Sequence, residues 1–241
     1  MSATPAGDRW DLAHRRLYLC TPDRPDLEAF VGRCIEGGVD VVQLRDKQLG
    51  DADLVERAGL VRRACAAAGV PFVLNDRPDL ALEAGADGVH VGQDDVPASE
   101  ARRLLGDDAL VGLSTHATAE LDAALRAGPP DGTGSTGSTG STGRTGSTAP
   151  VDYLSAGPVV ATPTKPGRPG TGTGYLTEAV RRSPWPVWVT GGVDPDCVSD
   201  LIGAGARHFV VVRWLVDSDD PLTAARALRR RIDELLGDAT A

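Results

Sequence analysis

The chain is 241 residues long, enough for one large domain or two small ones with an extensive buried core. Lys plus Arg number 25 against 34 Asp plus Glu, a formal net charge of −9, which argues against a duplex-binding protein built on a broad basic surface. Aromatic residues make up only 4 %, too few for the stacking platforms of single-strand binders.

The first residues, MSATPAGDRW, carry no apolar h-region, and no later segment approaches the ~18 unbroken apolar residues of a membrane span. From there, short apolar runs predict eight strands, at 17–20, 39–44, 72–74, 88–91, 110–113, 152–156, 187–189 and 208–212. Amphipathic stretches fall between them. Over 51–68, Leu54, Ala58, Val61, Cys65 and Ala68 recur at three- and four-residue spacing, which predicts a helix with Asp51 as N-cap and Gly69 as its stop. Another helix is predicted over 118–127.

Strict βα alternation predicts a parallel sheet, and eight units predict an α/β fold, a single (β/α)8 (TIM) barrel over 1–241. The exception is 132–148, where 16 of 17 residues are Gly, Ser or Thr. That composition reads as a flexible, disordered insertion on the αβ-loop side of the one barrel domain. Cys20, Cys34, Cys65 and Cys197 lie far apart with no C-x-x-C pair, so they read as reduced core thiols of a soluble, cytoplasmic protein.

In such a barrel the functional groups come from the C-terminal strand ends. Of the 25 basic residues only Lys47 and Lys165 are lysines, and where arginine is the default cation a lysine marks a place for a compact ammonium. The second strand ends in Gln43-Leu44-Arg45-Asp46-Lys47, where a period of two puts Gln43, Arg45 and Lys47 on one side. The third ends in Asn75-Asp76, and the fourth runs through His90 to Asp94-Asp95. Carboxylates beside cations point to magnesium with phosphate, held by Asp76 together with Asp94 or Asp95. The plain alternative is helix capping, since Asp76 precedes Pro78 and Asp95 precedes Pro97. His90 reads as a packed interior histidine without a role.

Gly112-Leu113-Ser114-Thr115-His116 offers hydroxyls at the rim. No Asp/His arrangement around Ser114 is identifiable, so hydrogen bonding is expected of it and not nucleophilic attack. His116 reads as a first-turn residue of the next helix. In 157–174 nine of 18 residues are Gly or Pro, and the loop carries Thr162, Thr164, Lys165 and Arg168, the parts of a lid over phosphate. Thr190-Gly191-Gly192 and Val211-Val212-Arg213 end the last two strands, where barrels commonly bind phosphate through backbone N–H groups.

QLRDK, LNDRPDLALEAGADGVHVGQDD, GLSTH, GPVVATPTK and TGGV, in this order and spacing, resemble the thiamine-phosphate synthase family over nearly the whole chain. The resemblance implies a magnesium-dependent barrel enzyme that joins a hydroxymethylpyrimidine diphosphate to a thiazole phosphate and releases diphosphate. It places Gln43, Arg45, Lys47 and Asn75 on the pyrimidine diphosphate, Asp76 and Asp95 on Mg2+, and Ser114 and Lys165 also on the pyrimidine substrate. Arg45, Lys47, Lys165 and Ser114 are then the catalytic candidates. Thr162, Pro163, Thr164 and Gly192, with Val212 and Arg213, would meet the thiazole phosphate. The partners implied are these small molecules, with neither nucleic acid nor membrane, and a homo-oligomer is compatible with the sequence. Arg213, in place of a small hydroxyl residue, Thr190 in place of an apolar one, and the insertion depart from the family pattern.

Three other functions fit parts of this sequence. A thiazole tautomerase-like barrel would bind the thiazole phosphate alone and would have no use for QLRDK, Asp76 and Asp95. A Schiff-base aldolase would use Lys47 or Lys165 in a dry site. A non-catalytic sensor of a phosphorylated ligand would need only the phosphate loops.

Overall fold

The computed structural model describes residues 10–127, 150–161 and 169–237. Eight strands, β1 (Leu17–Thr21), β2 (Val41–Leu44), β3 (Phe72–Asn75), β4 (Gly88–Val91), β5 (Leu110–Thr115), β6 (Tyr153–Ala156), β7 (Val187–Val189) and β8 (His208–Val211), pair in chain order into a closed barrel. Every pairing is parallel, and β8 closes onto β1 with Leu17 opposite Phe209. The helices are α1 (Leu27–Glu36), α2 (Asp51–Ala68), α3 (Pro78–Ala84), α4 (Ala98–Leu105), α5 (Thr118–Arg126), α6 (Gly172–Arg182), α7 (Val198–Gly203), α8 (Arg213–Val216) and α9 (Pro221–Leu236). None of the described helices is long and apolar enough to cross a membrane.

Both faces of each strand are covered, which is why the strands read as apolar runs and not as alternating patterns. One set of side chains, including Leu19, Leu44, Leu74, Val91 and Val189, packs outward against the helices. The alternate set points inward: Tyr18, Val41, Val73, Leu110, Tyr153 and Trp188 fill the cylinder together with Trp10. Tyr18 and Trp188 meet edge to face with centroids 5.2 Å apart. Gly112 is required by this filling, because a Cβ there would lie 2.1 Å from Cζ of Tyr153 and 2.5 Å from Nδ1 of His90.

The N-terminal end of the barrel is sealed by the segment before β1. Arg15 donates from Nε to the Trp10 carbonyl at 2.6 Å, and buried His208 donates from Nδ1 to the Arg15 carbonyl at 2.7 Å. Asp40 accepts the backbone N–H groups of Arg16 and Leu17 and an Arg229 guanidinium at 2.8 Å, and so fixes the start of the sheet. With Asp40 committed to this role, β2 begins at Val41 where the sequence pattern suggests 39.

Other boundaries differ by a residue or two as well. Gly50, not Asp51, caps α2; the Asp51 carboxylate is drawn instead into a paired hydrogen bond with Arg77, at 2.7 and 2.9 Å. Gly69 does end α2, at a left-handed φ of 66°. β5 continues to Thr115, and β8 stops at Val211 because Val212 (φ −124°, ψ −89°) turns the chain into α8. The insertion expected at 132–148 lies outside the described residues.

Gly112→Ala should overpack the interior at a cost of about 2 kcal/mol. In a domain of this size that lowers Tm by roughly 4–8 °C in calorimetry. The described elements nearest to 132–148 in sequence are α5, which ends at Arg126, and β6, which begins at Tyr153; both of these ends face away from the C-terminal strand ends. Excising 132–148 and joining its ends with a short linker should therefore leave Tm within about 3 °C of the parent, since loop length costs little.

Candidate active site

A cavity of about 290 Å³ opens at the C-terminal ends of the strands. Its wall contains Gln43, Arg45, Asn75, Ser114, Gly192, Val212 and Arg213, so seven residues singled out in the sequence converge on one space. A side chamber of about 190 Å³ continues between Cys20, Pro22, Arg45, Val212, Arg213 and Val216. Neither guanidinium, Arg45 nor Arg213, is ion-paired among the described residues.

Lys47, Asp76 and Asp95 stand together at the rim, on the loops that follow β2, β3 and β4. Lys47 Nζ lies 2.7 Å from Asp76 Oδ2. Asp76 is held at a left-handed φ of 64°, with its N–H donated to the His90 carbonyl at 2.8 Å. Asp95 turns back on its own loop and accepts the Gly92 N–H at 2.7 Å. Burial and the hydrogen bond shared with Asp76 raise the Asp95 pKa above the usual carboxylate range.

Asp95, not Asp94, is thus the residue that meets Asp76. The capping alternative fails for both: Arg77 and Pro97 occupy the N-cap positions of α3 and α4, and neither helix receives a side-chain cap bond. Two carboxylates forced together, with one ammonium and one N–H to offset them, suit a divalent cation. No group of three or more candidate ligands occurs among the described residues. A magnesium ion would therefore take its other ligands from water and substrate oxygens, its usual habit. Lys47 is about half exposed, 55 %, and ion-paired, which is not the dry setting of a Schiff-base lysine.

At the opposite side of the mouth, Gly191 and Gly192 take φ of 94° and 76°. The stem of the loop after β6 closes on them: Val159 N–H bonds the Thr190 carbonyl at 2.7 Å, and a Cβ on Gly192 would lie 2.3 Å from Val160 Cγ2. Arg213 is not a strand-end residue as the sequence suggests but the first residue of α8. The N–H groups opening that helix have no preceding turn to bond, so they add donors beside the glycines. Thr162, Pro163, Thr164, Lys165 and Arg168 lie outside the described residues. His116 is apart from the cavity and is not a first-turn residue of α5 as the sequence suggests: it precedes the N-cap Ala117 and engages Glu120 through Nδ1 at 3.0 Å.

The sequence missed the floor. Tyr18, Cys20, His90, Tyr153 and Ser155 all line the cavity, and His90, buried as the sequence reading has it, faces into it. Its Nε2 lies 2.9 Å from Ser114 Oγ, the partner that sequence spacing does not reveal, and its Nδ1 lies 3.2 Å from the Tyr153 hydroxyl. Tyr18 with Cys20, and Tyr153 with Ser155, are i, i+2 pairs on inward faces, a signal present in LYLCT and DYLSA but masked by their neighbours' apolarity.

A family model described as thiamine monophosphate synthase matches residues 17–215. The chain is 44 % identical over 228 residues to thiamine-phosphate synthase of Thermus thermophilus, covering 90 % of this chain and 97 % of that protein. It is 42 % identical over 225 residues to thiamine-phosphate synthase of Thermobifida fusca, covering 92 % and 94 %. Among solved structures, a thiamine phosphate pyrophosphorylase from Pyrococcus furiosus superposes with a TM-score of 0.74 at 25 % identity, covering 97 % of this chain and all of that one.

Asp95→Asn relieves one of two facing charges while its remaining carbonyl oxygen still accepts the Gly92 N–H. Tm should stay within about 3 °C of the parent or rise, and calorimetric Mn2+ binding, as a probe of the carboxylate pair, should weaken at least about ten-fold. A Tm loss with unchanged Mn2+ binding would instead mark Asp95 as structural.

Proposed function

The chain belongs to the thiamine monophosphate synthase family, an enzyme family of the transferase class acting on small molecules, and from this premise we propose its specific reaction. It couples 4-amino-2-methyl-5-hydroxymethylpyrimidine diphosphate to hydroxyethylthiazole phosphate and releases diphosphate. The C–O bond of the pyrimidine methylene breaks first, with both electrons leaving on the diphosphate. The thiazole nitrogen lone pair then forms the C–N bond of thiamine phosphate.

No protein nucleophile is needed, and the residues divide by charge. Asp76 and Asp95 hold Mg2+, which when bound supplies charge stabilisation for the departing diphosphate. Lys47 and Arg45 neutralise the same leaving group from the rim. Gln43, Asn75 and Ser114 orient the pyrimidine from the cavity wall. Asn75 is well suited to this, since its carboxamide takes no hydrogen bond from the described residues. Gly192 and Val212, through the backbone, and the unpaired Arg213 receive the thiazole phosphate. Thr162, Pro163, Thr164 and Lys165 are assigned to the loop above it by resemblance.

The observation that carries this reading is the Lys47–Asp76–Asp95 cluster beside a cavity bearing two guanidiniums that are not ion-paired among the described residues. A barrel that bound only a thiazole phosphate would leave the cluster without work. Incubating the purified protein with both substrates and Mg2+ should yield thiamine phosphate and diphosphate in equal amounts by chromatography, with neither formed when one substrate is omitted or EDTA is added. A folded protein that binds the thiazole phosphate without forming product would overturn the proposal.

A further inference from the structure

Seven side chains form one hydrogen-bonded chain around the inside of the barrel, beneath the cavity. Cys20 Sγ donates to Gln43 Oε1 at 3.1 Å, which orients the amide. Gln43 Nε2 donates to the Tyr18 hydroxyl at 3.0 Å. Tyr18 and Tyr153 hydroxyls lie 3.0 Å apart, Tyr153 meets His90 Nδ1 at 3.2 Å, His90 Nε2 meets Ser114 Oγ at 2.9 Å, and Ser114 meets Ser155 Oγ at 3.2 Å.

One order of donors leaves both tyrosine protons with an acceptor among the described residues, and it starts from the first bond. Tyr18 accepts from Gln43 and has Tyr153 as its one other hydrogen-bond partner there, so in this order its proton goes to Tyr153. Tyr153, accepting there, donates its own proton to His90 Nδ1. A neutral imidazole that accepts at Nδ1 carries its proton on Nε2 and donates it to Ser114. Ser114 in turn donates to Ser155, whose proton is left to point at the cavity. The rings hold this order in place: His90 and Tyr153 stack at 5.5 Å, and Tyr153 and Tyr18 meet edge to face at 6.1 Å.

The proximity of His90 to Ser114 therefore does not make a nucleophile and base. With its proton on Nε2 the histidine cannot take the serine proton, and the pair works the other way round. We propose that Tyr18, Tyr153 and His90 are positioning residues: the two tyrosines hold His90 as the Nε2–H tautomer, which presents a Ser114 lone pair and the Ser155 O–H to the first substrate in a fixed order. The kinetic part rests on the reaction proposed above. The tautomer does not, and is measured without substrate.

The test uses protein 15N-labelled at histidine, with the His90 signals assigned by their loss in His90→Gln. In the parent, long-range 1H–15N correlation should show His90 protonated on Nε2 and bare on Nδ1. Tyr153→Phe keeps the ring and removes the donor, so the Nδ1 position should gain a protonated population. Its kcat should fall about ten-fold, the loss expected from one misdirected hydrogen bond, with KM for the thiazole phosphate unchanged. Tyr18→Phe, one link further back, should shift both readouts the same way to a smaller extent, and serves if Tyr153→Phe does not fold. His90→Gln, which keeps a donor toward Ser114, should retain more activity than His90→Ala. A parent His90 protonated on Nδ1, or a folded Tyr153→Phe or Tyr18→Phe protein with tautomer and kcat both unchanged, would overturn the proposal. Absence of turnover in the parent would count against the proposed reaction alone, leaving the tautomer measurement to decide the chain.

Discussion

Closing eight parallel strands into a cylinder commits every second side chain to an interior that water does not fill, and the rest of the molecule follows from how that interior is occupied. Toward the N-terminal end it is packed with Val41, Val73, Leu110 and Trp188 and stoppered by Trp10. Toward the C-terminal end the same inward positions become Gln43, Asn75, Ser114 and Ser155. A polar group buried without a partner costs roughly 1–3 kcal/mol, so this change in character is tolerable only if the groups satisfy one another or a ligand. Both occur: one set is tied into the Cys20-to-Ser155 chain, while Asn75 faces the cavity with its amide uncommitted.

Charge is kept off the floor and placed at the mouth. Asp76 and Asp95 share a space in which one carboxylate has its pKa raised, and Lys47 supplies the nearest ammonium. Such a cluster is poor as a stabilising device, because exposed ion pairs contribute little and facing carboxylates repel. Under the proposed function, the cluster would receive a cation that arrives with an anionic substrate. Asp76 takes the left-handed backbone, a conformation uncommon for a residue with a side chain but one that Asp adopts more readily than most.

The architecture was legible in the sequence because it is written in short-range patterns. Leu54, Ala58, Val61 and Cys65 at helical spacing define α2, and the apolar runs give all eight strands to within a residue or two. The strand ends were legible for the same reason, and Gln43, Arg45, Asn75 and Ser114 were found there. What stayed hidden depends on chain closure: Tyr18 and Tyr153 touch across 135 residues, and His90 meets Tyr153 across 63. Apart from the family resemblance, which already places Asp95 with Asp76, the choice of Asp95 over Asp94 shows in the structure as its contacts with Asp76 and the Gly92 N–H, and the change of Arg213 from strand end to helix start rests on the dihedral angles of Val212. Neither leaves a trace in residue type.

A reaction that releases a leaving group before the new bond forms exposes an electrophilic carbon to every lone pair within reach, and hydroxyls in the wall are the nearest competitors. In this cavity the Tyr18 and Tyr153 hydroxyls each have two hydrogen-bond partners within the chain, so that in the proposed order each both accepts and donates, and Ser114 is held between His90 and Ser155. An oxygen lone pair that already accepts a hydrogen bond is less available for attack than a free one, because attack would require giving up a bond that the barrel interior does not replace. If the proposed reaction and order hold, the same chain quiets lone pairs that would otherwise trap the intermediate. Under the proposed chemistry, the polar floor and the charged mouth are complementary: the mouth withdraws the anion, and the floor keeps the resulting cation for the thiazole nitrogen.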